Sequence, residues 1–225
     1  MQLSDKDIDR YSRNIILPEI GGEGQYKLLQ SKVLVIGMGG LGSPLLMYLA
    51  AAGIGNITII DNDNVELSNL QRQVIHSTQN IGRPKVDSAK SFIEKINPEI
   101  KITKINSRVD TDNIIELIVK QDIIADGSDN FKTRFLVADT CFKLKKTLIS
   151  AAITKYEGQI STWKNKKNLP CYRCLFANEP NDSNINNCSS NGVLGSIGGV
   201  FGSLQATEVI KEILNIGSSL SGFLN

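Results

Sequence analysis

Asp61, Asn69, Arg72, Lys85 and Asp129 are the side chains whose types and positions point to chemistry. Asp61 and Asp129 follow apolar runs that read as strands, Lys85 opens a helix, and Asn69 and Arg72 lie in a polar passage between them. Two carboxylates and two cations gathered at a nucleotide would act on its phosphates. The cations neutralise charge developing on a phosphoryl group, and a carboxylate can hold Mg²⁺. No Ser/His/Asp arrangement competes. His76, the only histidine, reads as a helix-end or turn residue. Attack by a carboxylate on an α-phosphate needs no proton removed, so such a site works without histidine.

These residues are organised around Val33 to Gly42, V-L-V-I-G-M-G-G-L-G. The apolar run reads as a short strand buried on both faces. Gly37, Gly39 and Gly42 then form G-x-G-x-x-G, followed by Ser43 as a helix N-cap and Pro44 at the first helical position. The helix from Leu45 to Ala52 stops at Gly53. Strand, glycine turn and helix come in the order that brings backbone N–H groups and a helix N-terminus to a phosphate. A second strand, Asn56 to Ile60, ends at Asp61, about 20 residues on, where a ribose hydroxyl is usually held. The passage Asp61 to Gln73, with Asp63 in it, is polar enough to belong to a site. Lys85 lies in the first turn of a helix opened by Gly82-Arg83-Pro84, where a cation opposes the helix dipole unless an anion is near. That anion is expected to be a phosphate.

The remaining elements must hold this cluster together. Ser4 caps a short N-terminal helix through Tyr11, and Gly21 to Gln30 forms a second. The helix begun at Lys85 runs to about Ile96, and Ile100 to Val109 is a third strand. Thr111 or Asp112 caps a helix from Asn113 to Gln121, and Asp122 to Asp126 is a fourth strand. Phe131 to Lys145 is helical, Thr147 to Ile153 a fifth strand, and Gln159 to Trp163 a sixth. This alternation predicts an α/β fold: a doubly wound, Rossmann-like, mostly parallel sheet with a glycine-rich nucleotide loop. In the strand order 3-2-1-4-5, Asp129 comes beside the glycine loop, where a site role and a helix N-cap are compatible readings. The expected organisation is a single domain overall. It comprises an N-terminal helical arm (1–30), a nucleotide-binding core (31–163), a crossover loop with cysteines (164–192), and a C-terminal helix with the start of a truncated tail (193–225). The small, apolar first half of that last helix, Gly195 to Ser203, predicts burial against other helices or a subunit interface.

The 225 residues are 41% hydrophobic and 21% charged, enough for a full core. A net charge of +2 gives no reason to expect nucleic acid or a membrane surface as partner. No apolar run is long enough to span a bilayer, and Met1 to Asp5 leads into a charged helix rather than a signal peptide. The four cysteines include Cys171-x-x-Cys174, which suits metal or thiol chemistry in a reducing compartment. The expected location is therefore cytoplasmic. Cys141, within a predicted helix, is expected in the core.

Longer matches carry a resemblance. They are RYSRNIIL (10–17), GMGGLG (37–42), SNLQRQ (68–73), GRPK (82–85), SDN (128–130), EGQI (157–160), PCYRC (170–174) and GSLQA (202–206). Through these the chain resembles, over essentially its whole length, the MoeB/ThiF/HesA family, the bacterial relatives of ubiquitin-activating enzymes. The resemblance implies a homodimeric ATP-dependent adenylyltransferase. Its substrate would be the C-terminal Gly-Gly of a ubiquitin-like sulfur-carrier protein, in molybdenum-cofactor, thiamine or another sulfur pathway. By the same match, Gly40 and Asp61 hold the adenosine side, with Gly37, Gly39, Gly42 and Asp63 counted among the nucleotide contacts. Ser68, Asn69, Leu70, Gln71 and Arg72 line the pocket, and Arg72 joins Lys85 on the phosphates. Asp129 binds Mg²⁺ with help from Asn130, and Arg13 reaches the phosphates of the neighbouring subunit.

The resemblance also gives the cysteines roles. Cys171 and Cys174 match the first of two C-x-x-C pairs that hold a structural zinc, and the place of the second pair lies beyond Asn225. Two thiolates do not close a tetrahedral site, so either the chain is cut short or the site is lost, and zinc is possible only in a longer form of the chain. Cys188 matches the position where some relatives carry the acyl group or sulfur on a thiol, and its other reading is an idle loop thiol. Two other function classes compete. An NAD-dependent oxidoreductase would use the glycine motif but leave Arg72, Lys85 and Asp129 without work. A non-catalytic partner subunit would not need the complete polar set.

Overall fold

The computed structural model describes residues 3–180 and 192–224. Its centre is a six-stranded sheet in the order β3-β2-β1-β4-β5-β6. The strands are β1 (Lys32–Ile36), β2 (Asn56–Ile60), β3 (Lys101–Ile105), β4 (Ile123–Asp126), β5 (Thr147–Thr154) and β6 (Glu157–Trp163). β1 to β5 are parallel, and β6 returns antiparallel along β5. Ile36 is in register with Ile60 on one side and Asp126 on the other, so three strand ends finish at one level. Gly37, Asp61 and Gly127 leave the sheet together there, at the point where the strand order reverses.

Alternate residues of β1 serve opposite faces of the sheet. Val33 and Val35 pack with Leu45, Leu46 and Leu49 of α3 (Gly42–Ala52), Val86 and Ile93 of α4 (Lys85–Ile96), and Val209 of the long C-terminal helix. Leu34 and Ile36 face the other way, with Leu117 of α5 (Ile114–Val119) and Phe135, Val137 and Cys141 of α6 (Phe131–Lys143). Apolar burial on both faces is why β1 reads as an unbroken apolar run rather than an alternating one. The doubly wound, mostly parallel architecture is thus as the alternation of elements predicted, and Cys141 is buried in the core.

Several boundaries differ from the sequence reading, each for a local reason. α1 (Asp5–Ile15) runs a turn past Tyr11, and α2 (Gly21–Gln30) has the predicted extent. Ser43 is not the N-cap of α3. The helix already begins at Gly42, and the Ser43 hydroxyl donates back to the Gly39 carbonyl at 2.7 Å. Pro44 is therefore the third helical residue, where its missing N–H still falls among the unpaired first turn. Pro84 caps α4 from outside, leaving Lys85 as the first helical residue. Neither Thr111 nor Asp112 caps α5: the Asp110 carboxylate takes the N–H groups of Asp112 and Asn113. β3 ends at Ile105, four residues early, because Ser107, Arg108 and Val109 turn off the sheet to line a cavity.

The cysteine segment carries one short helix, α7 (Tyr172–Leu175), and its later part, 181–191, lies outside the described residues. The last helix, α8 (Gly195–Leu214), crosses α3 at Gly202, where a Cβ would stand 2.4 Å from the Leu41 carbonyl oxygen. The small residues of α8 thus let it lie against its own chain, while Val200 and Leu204 remain exposed. Beyond it the tail runs beside β6, with a Thr162–Ser221 bridge and a hydrogen bond from Ser161 Oγ to Phe223 O at 2.7 Å. No helix among the described residues is long and apolar enough to cross a membrane.

Candidate active site

The strand ends open into a cavity of about 700 Å³. The glycine turn forms its floor. Gly37 has φ +87°, a left-handed conformation that lets the chain reverse directly after β1. Gly42 returns so close that a Cβ there would stand 1.9 Å from the Gly37 carbonyl oxygen. Met38, between them, is held at both ends. Its N–H donates to Asp61 Oδ2 at 2.7 Å, and its carbonyl accepts from His76 Nε2 at 3.0 Å. A carbonyl cannot donate, so Nε2 carries the histidine proton and Nδ1 accepts from the Ser88 hydroxyl at 2.9 Å. His76 closes a turn, as the sequence suggests, and its buried ring braces the glycine turn against α4. Burial lowers its pKa from the ordinary value.

Asp61 also anchors the passage that follows, accepting from Asp63 N at 2.8 Å. Burial raises its carboxyl pKa, against the pull of the Lys85 ammonium and the N–H groups it accepts. Lys85 itself is almost wholly buried, and its Nζ meets Asp63 Oδ2 at 2.8 Å. The anion that offsets this misplaced cation is thus Asp63, which also accepts the Lys85 N–H on its carbonyl. Arg72 lies against Gly40 and turns one guanidinium N–H to the Ser68 carbonyl at 3.2 Å. Both cations line the cavity.

Asp129 enters from the opposite wall. Its predecessor is gripped on both sides: Asp126 Oδ1 accepts from Ser128 N at 2.9 Å, and the buried Arg134 donates to the Ser128 carbonyl. Its successor, Asn130, caps α6 by accepting from Thr133 N at 2.9 Å. The capping role considered for Asp129 therefore belongs to Asn130, and the Asp129 carboxylate makes no hydrogen bond or ion pair with any described residue. An exposed carboxylate at a fixed point of an oxygen-rich cavity fits a Mg²⁺ ligand.

Not every predicted residue arrives. Gly37, Gly39, Gly40, Asp61, Asp63, Arg72, Lys85, Asp129 and Asn130 line the cavity. Gly42 lies just behind the turn. Ser68, Asn69, Leu70 and Gln71 stand outside the wall, in and after a short 3₁₀ turn. Arg13 is exposed on the last turn of α1 and does not line its own chain's cavity. Cys171 and Cys174 bring their sulfurs within 3.5 Å of each other on α7. Two thiolates are fewer than the four ligands a structural zinc takes, and no group of three candidate ligands occurs among the described residues. Cys188 lies outside the described residues.

Gln73, Ser128, Arg134 and Tyr172 also line the cavity and were not singled out from the sequence. A signal existed for Arg134: it stands one turn after the Asn130 cap, on the side of α6 that must face the sheet. Tyr172 stacks edge-on against Phe135 and Trp163, carrying the C-x-x-C turn onto the cavity wall.

The chain is 47% identical over 223 residues to "Adenylyltransferase and sulfurtransferase MOCS3" of Culex quinquefasciatus, which covers 99% of this chain and 51% of that protein. It is 44% identical over 224 residues to "SAMP-activating enzyme E1" of Haloferax volcanii, covering all of this chain and 82% of that protein. The chain thus spans about half the length of the first of these relatives. Among solved structures, E. coli MccB with ATP superposes with a TM-score of 0.81 at 27% identity, over 95% of this chain and 66% of that one. The ThiF family matches residues 11–225, and the chain belongs to it.

Proposed function

We propose that the chain is an ATP-dependent adenylyltransferase acting on the C-terminal Gly-Gly of a ubiquitin-like sulfur-carrier protein. The observation that carries this reading is the meeting of Lys85, Arg72 and Asp129 around one glycine turn in a single cavity. In the step proposed, a carboxylate oxygen of the carrier attacks the α-phosphorus of ATP. A P–O bond forms, the bond to pyrophosphate breaks, and no proton need move. Lys85 and Arg72 would offset the negative charge that builds on the phosphoryl oxygens. Asp129 and the neighbouring loop would hold Mg²⁺, which supplies further neutralisation of the triphosphate. Relatives at 44–47% identity named for adenylyl transfer and E1 activation support the same chemistry.

The proposal extends to a homodimer in which Arg13 completes the partner's site, to an acyl-carrying role for Cys188, and to a cytoplasmic setting. Sulfur transfer toward molybdenum cofactor or thiamine is the process it would serve. Zinc on Cys171 and Cys174 would need two further ligands. The test is exchange of labelled pyrophosphate into ATP, which is expected only when a carrier ending in Gly-Gly is added. Carrier-independent reduction of NAD, with no exchange, would replace this reading with an oxidoreductase.

A further inference from the structure

Two polar side chains of the cavity are buried without a partner. Gln73 is 3% exposed and Ser128 8%. Gln73 Oε1 and Ser128 Oγ make no hydrogen bond to any described residue. Such atoms normally find a partner, because an unsatisfied buried group loses its water and gains nothing in return. An apolar side chain of similar shape would cost the fold nothing at either place.

Their positions say what could satisfy them. Gln73 comes from the end of the polar passage, with its Nε2 3.8 Å from where a Cβ on Gly39 would stand. Ser128 comes from the loop after β4, its backbone N 3.5 Å from where a Cβ on Gly37 would stand. They therefore stand at two points of the glycine turn, Gln73 beside Gly39 and Ser128 beside Gly37, in the cavity that Lys85 and Asp129 also line. A hydroxyl donates and accepts, and a carboxamide turns about its last torsion to present either its NH₂ or its oxygen. Phosphoryl oxygens, which only accept, would draw the hydroxyl proton and the NH₂ toward them.

We propose that Gln73 and Ser128 are direct contacts of the nucleotide's phosphate chain, kept polar at a cost to the stability of the empty protein. The inference rests on the nucleotide reading of the cavity and is independent of the carrier. Arg72 and Lys85 supply charge, whereas these two neutral donors fix the orientation of the chain they hold.

The test is titration of ATP with Mg²⁺ by calorimetry, alongside thermal unfolding without nucleotide, for Gln73→Met, Gln73→Glu and Ser128→Ala. Gln73→Met and Ser128→Ala are expected to unfold at or above the wild-type temperature. Each should bind ATP about tenfold or more weakly, the loss of one hydrogen bond to a charged group. Gln73→Glu should bind more weakly still, since its carboxylate faces the phosphates. Wild-type ATP affinity in the Met and Ala variants would overturn the proposal. So would a clear drop in their unfolding temperature, which would mark both side chains as structural. Absence of ATP binding by the wild-type chain would instead bring down the nucleotide reading, and this inference with it.

Discussion

At the scale of single residues, the cavity wall combines a paired cation with a carboxylate that has no partner among the described residues. Lys85 is paired with Asp63, and Asp129 stands free between two fixed neighbours, Ser128 and Asn130. His76 shows how a residue with no chemistry of its own shapes the turn. Burial lowers its pKa, so below the ordinary value of 6.5 the unfolded chain takes up a proton that the folded chain resists. Its contribution is full above that value and is lost as pH falls through it toward the folded pKa. The unfolding temperature of the wild type is thus expected to fall more steeply than that of His76→Gln between about pH 7 and pH 5.5. Asp61, whose raised pKa favours the folded state as acid is added, acts equally in both proteins. Parallel curves would show that His76 carries no such load. The charged members of the cavity were legible in the sequence because a misplaced lysine and strand-end carboxylates stand out by type. Gln73, Ser128 and Arg134 were not, because a polar residue declares itself only once its burial and its missing or unusual partners are known.

At the scale of elements, the strand–turn–helix unit from β1 to α3 sets the geometry for the rest. Its strand and glycines were legible because burial on both faces and close backbone approach each leave a plain residue signature. The helix start was not, because the backbone already turns helical at Gly42 and the Ser43 hydroxyl donates to the Gly39 carbonyl instead of accepting from a helix N–H. Gly42→Ala is accordingly expected to destabilise the protein by about 3 kcal/mol, the upper range for forcing atoms into a packed site. Gly199→Ala on α8, where a Cβ would meet nothing within 4 Å, should gain up to about 1 kcal/mol from helix propensity. Denaturant titration of the two variants separates the cases, and a Gly42→Ala protein as stable as the wild type would refute the close-approach argument.

At the scale of the whole molecule, the parallel order of β1 to β5 followed from alternating elements, but the antiparallel return of β6 did not. The connection from β5 to β6 is only Lys155-Tyr156, too short for a crossover, and a tight turn forces the reversal. Arg13 lies on the last turn of α1. It is exposed, outside its own cavity, and next to Asn14 on a groove that Tyr48, Ser203 and Ile210 also line. Exposed Ile16, Leu17, Val200 and Leu204 on the same helices or beside them support a second copy there. Arg13→Ala and Asp129→Ala proteins are each expected to be nearly inactive alone. After subunit exchange, about half the dimers are mixed and each holds one complete site, so about a quarter of wild-type activity should return. A mixture that stays inactive would mean that Arg13 works within its own chain or not at all.

The step proposed for this cavity is transfer of an adenylyl group to a carrier's terminal carboxylate. Carrier-dependent exchange of labelled pyrophosphate into ATP measures that step without requiring any later thiol chemistry. The expected result is exchange by the wild type with a carrier ending in Gly-Gly. It should fall on the order of a hundredfold in Lys85→Ala and in Asp129→Ala, the scale of removing one group that meets transition-state charge. Full exchange in both folded variants, or none in the wild type with any Gly-Gly carrier, would contradict the account.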